Sequence, residues 1–109
     1  MAAYSFRTLS ANLGMDIRVP VVVTAAEQAL GERGYTISSR RMTEDSGRVV
    51  AVAAGSSLGH GFRDGLSERV VVTAQLTARG TRVKVSAQPL GNEAISRAIL
   101  DDILLRLGL

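Results

Sequence analysis

The sequence predicts an α+β domain in which a single antiparallel sheet of four to five strands carries both helices on one face. A chain of 109 residues has the usual length of one domain, so residues 1–109 are expected to fold as a unit. Apolar residues alternate at strand spacing in some segments and recur at helical spacing in two others. The element order is β-α-β-β-β-β-α, and helices on one face bury every apolar row together.

The first strand and the first helix are predicted from the spacing of apolar residues, and a proline and a glycine mark the two ends of the helix. Residues 3–13 predict an irregular strand, because the alternation changes parity near Leu9, which indicates either a bulge or two short strands. Val19–Arg33 predicts a helix, since Pro20 suits a first helical turn and needs no hydrogen bond there. Gly34 supplies the left-handed residue that commonly ends a helix.

Two hairpins are predicted after this helix. Tyr35–Thr43 and Arg48–Ala54 are strands separated by residues typical of turns, and residues 55–66 form one long loop. Glu68–Ala78 and Thr81–Ala87 alternate cleanly around a glycine-containing turn. Their polar positions predict that the outer face of the sheet is solvated. Such a face is more often a solubilising surface than a binding site. Its predicted residues are Thr36, Ser38, Arg40, Arg69, Thr73, Gln75, Thr77, Arg82, Lys84 and Ser86.

The chain closes with a helix predicted over Glu93–Leu107, with Asn92 as its N-cap. Asp102 and Arg106 have the i,i+4 spacing of an ion pair. The apolar arc is wider than one sheet face covers and includes Ile95, Ile99, Leu100, Ile103, Leu104, Leu105 and Leu107. Two explanations stay open: Leu100 and Leu104 are exposed and form a homodimer interface, or the first helix covers them within one monomer.

Composition and charge exclude several function classes. Hydrophobic residues at 46% and charged residues at 21% are typical of a globular domain and argue against disorder. The net charge of +3 is small, and the only tight basic cluster is Arg40-Arg41, so nucleic-acid binding is not expected. With no cysteine, disulfides and thiolate sites are absent. The longest apolar run, Val49–Ala54, is too short to span a bilayer, and a soluble chain is expected.

The long loop contains the residue types of a nucleophilic triad but lacks the backbone arrangement that would hold them in place. His60 lies near Asp64 and near Ser56 and Ser57, yet no strand-turn-helix arrangement would hold a nucleophile. The glycines fit neither phosphate-binding motif, and the adjacent Asp101 and Asp102 point about 100° apart on a helix. We therefore expect no catalytic residues, no cofactor site and no metal site.

The same loop carries large apolar residues on a glycine-rich segment. Leu58 and Phe62 either pack beneath the loop or are exposed and contact a partner. Together with Arg63 and the helix residues Leu100 and Leu104, they are the candidate partner-binding residues.

Several short motifs carry a family resemblance over about residues 18–107. These are Pro20-x3-Thr24-Ala25-Ala26-Glu27-x2-Leu30-x3-Gly34-Tyr35, Asp45-Ser46-Gly47-Arg48-Val49-Val50-Ala51, Gly80-Thr81-Arg82-Val83-Lys84-Val85 and Leu90-Gly91-Asn92-Glu93-x2-Ser96-x2-Ile99-Leu100-x2-Ile103. In this order they resemble a small bacterial family of uncharacterised, often lipid-anchored envelope proteins. The chain more distantly resembles the helix-grip domains of outer-membrane-assembly lipoproteins. It departs from the family in lacking a signal sequence and a lipobox cysteine, and in having the long 55–66 loop.

The resemblance implies a non-enzymatic interaction or structural module of the bacterial envelope, which binds a protein partner or associates with itself. The alternative is a small apolar ligand held between the sheet and the final helix. Small residues predicted to face that interior are Ala26, Ala29, Ala74, Ala78 and Ala87, and close packing of them is favoured. Membrane association is expected only through an N-terminal anchor outside this sequence. The expected location is periplasmic if that anchor was trimmed, and cytoplasmic otherwise.

Overall fold

A computed structural model describes residues 8–14, 16–53, 69–88 and 93–109. Within these ranges the elements are β1 (Thr8–Asn12), α1 (Val19–Glu32), β2 (Tyr35–Met42), β3 (Ser46–Ala53), β4 (Arg69–Thr77), β5 (Gly80–Gln88) and α2 (Glu93–Arg106). The strands form one antiparallel sheet in the order β1-β5-β4-β3-β2. The predicted α+β class and element order are confirmed.

The two helices form a second layer on one face of the sheet. Helix α1 lies against β2, β3 and β4, whereas α2 lies against β5, β1 and the side of α1. The first helix begins with proline in its first turn and ends before Gly34, whose φ of 90° lies in the left-handed region. Its apolar stripe, including Val22, Ala26 and Leu30, is fully buried against the strands.

Helix α1 approaches β3 closely because Gly47 has no side chain. A Cβ atom at this position would lie 2.5 Å from Val23 Cγ2 and 3.3 Å from Val19 Cγ1. Gly47 was predicted as a turn residue, but it lies in β3 and faces the helix layer. The glycine therefore sets the spacing between helix and sheet.

A bulge in β2 changes which arginine faces the helices. The pairing of β2 with β3 shifts register between Ile37 and Ser39, so Arg40 lies opposite the buried Val49. Because side chains opposite one another share a face, Arg40 points towards the helices, and the prediction that it lies on the outer face is wrong. Arg41 takes that place, opposite Arg48 on the outer face.

Part of the wide apolar arc of α2, which packs beside α1, is buried in the core. Leu100 is only 7% exposed and Leu104 is half-buried against the core, while Leu105 is 75% exposed. Leu100 therefore belongs to the core of the monomer, as the second explanation expects, and is not an exposed interface residue. Ala78, predicted to face the interior, is exposed in the β4–β5 turn. The other predicted interior alanines are fully buried, which fits close packing.

Candidate functional site

The outer face of the sheet, opposite the helices, carries a cluster of exposed basic side chains. We call this surface the cationic face and define it by Arg41, Arg48, Arg69, Arg82 and Lys84, all of them exposed. Arg41, Arg48, Thr73 and Lys84 occupy one continuous row across β2, β3, β4 and β5. Adjacent strands are about 4.8 Å apart, so this row extends over about 14 Å.

The carboxylates that form ion pairs in the described part of the chain lie on the helix side of the sheet. There Arg40 Nε, from β2, lies 2.5 Å from Glu27, and Arg33 Nε lies 3.3 Å from Asp102. Within the described ranges, the five residues of the cationic face form no ion pair, and no strand position on that face is acidic. The strands thus present positive charge that no described carboxylate neutralises.

The helix layer has its own charged cluster, which is structural in character. Arg106 pairs with Glu32 and, at 2.8 Å, with Asp102, confirming the predicted i,i+4 pair and extending it to α1. The hydrogen bonds that Arg106 donates to Glu32 and then to Asp102 raise the pKa of Arg106 above its ordinary value. These contacts join α1 to α2 and leave no unpaired charge at Arg106.

Two arginines of the cationic face stand directly opposite one another. Arg41 on β2 and Arg48 on β3 are register partners. Side chains in such a pair have Cβ atoms roughly 5 Å apart, and like charges in that arrangement destabilise a sheet. An open depression of about 440 Å³ lies beside the pair and is lined in part by Ser46, Thr73 and Gln75. The pair therefore faces solvent in a shallow concavity.

The remaining cations are held at defined positions by neighbouring strands. Arg82 Nε donates to Asn12 Oδ1 at 3.3 Å, across from β5 to β1. Lys84 lies between Ser10 on β1 and Thr73 on β4. Because each backbone position is fixed by pairing on both sides, the charges are presented on a rigid surface.

The centre of the cationic face is apolar. Val50 and Val71 are cross-strand partners on this face, and Val52 lies next to them on β3, opposite Arg69. All three valines are half-buried. An apolar centre with arginine around it is typical of protein interfaces, where arginine is enriched and acidic residues are depleted.

The predicted partner-binding residues do not meet on this surface. Leu58, Phe62 and Arg63 lie outside the described residues, as do His60, Ser56, Ser57 and Asp64. Leu100 belongs to the core on the opposite side of the sheet, and Leu104 packs partly against it. Their role in partner binding stays a prediction.

A second depression lies between the helices. It measures about 350 Å³ and is lined by Pro20, Val21, Thr24, Ala25, Gln28, Arg106 and Leu107. The one charged residue among these is Arg106, which is already paired with Glu32 and Asp102. Neither this depression nor the one beside Arg41 is lined by both the sheet and α2, and the apolar-ligand alternative stays a prediction.

Sequence reasoning missed the contribution of β3 to the cationic face. The run Val49-Val50-Ala51-Val52-Ala53 contains no polar residue, so its outward positions could not be distinguished by alternation. A signal was present in the pairing of this strand with the clearly alternating β4, whose register places Val50 and Arg48 outward.

The described residues bring together no group of three or more histidine or acidic side chains suited to a metal ion. Neither helix in the described part of the chain has both the length and the hydrophobicity needed to cross a bilayer. The chain matches no protein-family model, and no curated protein is significantly similar to it.

Proposed function

We propose that this domain is a non-enzymatic interaction module whose cationic face binds an acidic surface of a partner protein. The observation that carries the proposal is the exposed positive charge of the cationic face, which no described carboxylate pairs with. Five exposed cations lie on one sheet face, while the acidic residues of α1 and α2 that pair do so with arginines on the other side of the sheet, namely Arg33, Arg106 and the helix-facing Arg40 of β2. Complementary charge across an interface speeds association and selects partners.

The directly opposed Arg41 and Arg48 support the proposal because their repulsion works against folding. An acidic partner would reduce that repulsion. The reduction would contribute favourably to the free energy of binding. The rigid strand backbone lowers the entropy lost when the surface is engaged.

A protein partner fits this face better than a nucleic acid. Val50, Val52 and Val71 give it an apolar centre, and the described strands place no aromatic side chain there for stacking with bases. A second copy of this chain is a poor occupant, since a two-fold axis through the face would oppose like charges. Self-association through other surfaces, and the envelope location implied by the family resemblance, stay predictions.

The proposal is tested with two charge-reversed variants of equal net charge. Arg48→Glu/Lys84→Glu changes the cationic face, and Arg18→Glu/Arg79→Glu changes two exposed arginines elsewhere. The probe is an acidic peptide that alternates glutamate with leucine, measured by fluorescence anisotropy at two salt concentrations. Wild type and the Arg18/Arg79 variant are expected to bind, more weakly at high salt because exposed charges are screened.

The Arg48/Lys84 variant is expected to lose binding by at least about tenfold, equivalent to about 1.4 kcal/mol. Equal loss in both variants would show that binding follows overall charge, and would refute a specific site. Tighter binding of a single-stranded oligonucleotide of matched charge would overturn the assignment to a protein partner. Circular dichroism of both variants establishes that they are folded.

A further inference from the structure

We infer that the Arg41–Arg48 pair is a binding site for a phosphoryl group, carried by a phosphorylated side chain of the partner. The inference rests on the proposed function and names the group recognised at one end of the cationic face. The two guanidinium groups project from directly opposed positions on β2 and β3.

The groups around the pair are suited to donate hydrogen bonds to an anion. Arg41 and Arg48 supply N–H donors, and Thr73 and Gln75 line the same depression. Within the described part of the chain, neither arginine has an ion pair, and the Thr73 hydroxyl and Gln75 amide have no side-chain partner. These donors are therefore available to a ligand.

The charge of the site distinguishes between possible oxyanions. Two neighbouring guanidinium groups carry two positive charges, and one carboxylate neutralises only one of them. A phosphoryl monoester carries a charge of about −1.5 to −2 near neutral pH and has three acceptor oxygens. Planar guanidinium groups bind such oxygens in bidentate fashion. A phosphoryl group therefore matches the pair in both charge and number of acceptors.

The nearest acidic residues along the chain are in the β2–β3 turn. Backbone N–H groups of Asp45 and Ser46 donate to Thr43 Oγ1 at 3.2 and 3.1 Å, which fixes the turn. Glu44 and Asp45 are exposed, and within the described residues neither carboxylate pairs with Arg41 or Arg48. Their negative charge opposes an incoming anion, so Glu44→Gln is expected to strengthen phosphoryl binding.

The experiment compares three probes by isothermal titration calorimetry. They are a leucine-containing acidic peptide with one phosphoserine, its twin with glutamate in place of phosphoserine, and inorganic phosphate. The phosphopeptide is expected to bind about tenfold more tightly than the glutamate twin, because charge-assisted bidentate bonds are the stronger kind. Arg41→Gln and Arg48→Gln are expected to abolish that preference, whereas Arg69→Gln on the same face is expected to preserve it.

The outcomes separate this inference from the proposed function. Equal binding of both peptides to wild type, or a preference that survives Arg41→Gln and Arg48→Gln, overturns the phosphoryl site and leaves the acidic-partner proposal standing. Failure of both peptides to bind overturns both. Binding of inorganic phosphate as tight as that of the phosphopeptide overturns the protein-bound source and identifies free phosphate as the ligand.

Discussion

Among the glycines that the structure describes, Gly80 is expected to be the least tolerant of a side chain. It begins β5 at a φ of 124°, and a Cβ atom there would lie 2.2 Å from the carbonyl oxygen of Leu13. The adjacent chain is held in place, because the Leu13 N–H donates to the Thr81 carbonyl at 2.7 Å. An alanine at this position must therefore displace backbone that is already fixed.

The cost of Gly80→Ala follows from these contacts. Backbone strain of this kind costs about 1–3 kcal/mol, and weakening the Leu13–Thr81 hydrogen bond adds about 1 kcal/mol. The expected loss in the free energy of unfolding is about 2–4 kcal/mol in all. Gly34→Ala is the matched control, because Gly34 also has a positive φ but has nothing within 4 Å of the new Cβ. Its expected cost is only the left-handed penalty of about 1–2 kcal/mol.

Urea unfolding of wild type and both glycine variants, monitored by circular dichroism, measures these losses. The slopes of the unfolding transitions are expected to agree, so differences in midpoint report differences in stability. If Gly80→Ala is no more destabilising than Gly34→Ala, the close approach between the Leu13 carbonyl and β5 does not govern stability, and the reasoning is refuted.

Substitutions at three further sites, two of them with a companion variant, probe the packing by the same unfolding assay. Gly47→Ala is expected to destabilise by about 1–3 kcal/mol through overpacking, and Val23→Ala in the same chain should recover part of that loss. Thr81→Val removes the buried hydroxyl that donates to the Ile17 carbonyl at 2.6 Å and is expected to cost about 1–3 kcal/mol. Leu100→Ala is expected to cost about 2–5 kcal/mol, since this leucine is in the core. The exposed Leu105→Ala should stay within about 0.5 kcal/mol, and equal effects of the two leucine changes would contradict their placement.

The helices and strands could be predicted from sequence because local residues mark where they begin and end. Gly34 ends α1 as expected, and the alternation from Val70 to Ala74 places one face of β4 in the core. The bulge at Ser38 could not be predicted in this way. The alternation of polar and apolar residues does not reveal it. Because of the bulge, Arg41 and not Arg40 lies on the outer face.

The candidate site was less predictable than the fold because it depends on pairing between strands. Arg41 and Arg48 become neighbours only through the β2–β3 register, which local patterns do not specify. The burial of Leu100 likewise depends on how α2 packs against the rest of the core, and the wide apolar arc alone fitted an interface equally well. Both differences come from tertiary placement rather than from intrinsic propensity.

The cationic face is tested most directly by nuclear magnetic resonance, through titration of the isotopically labelled chain with the acidic leucine-containing peptide. Backbone amide shifts are expected to change along the outer rows of the sheet, most strongly near Arg41, Arg48 and Lys84, with little change on the exposed side of α2. Shifts confined to the helix layer, or spread evenly over exposed arginines such as Arg18 and Arg79, would contradict the assignment of this face as the binding surface.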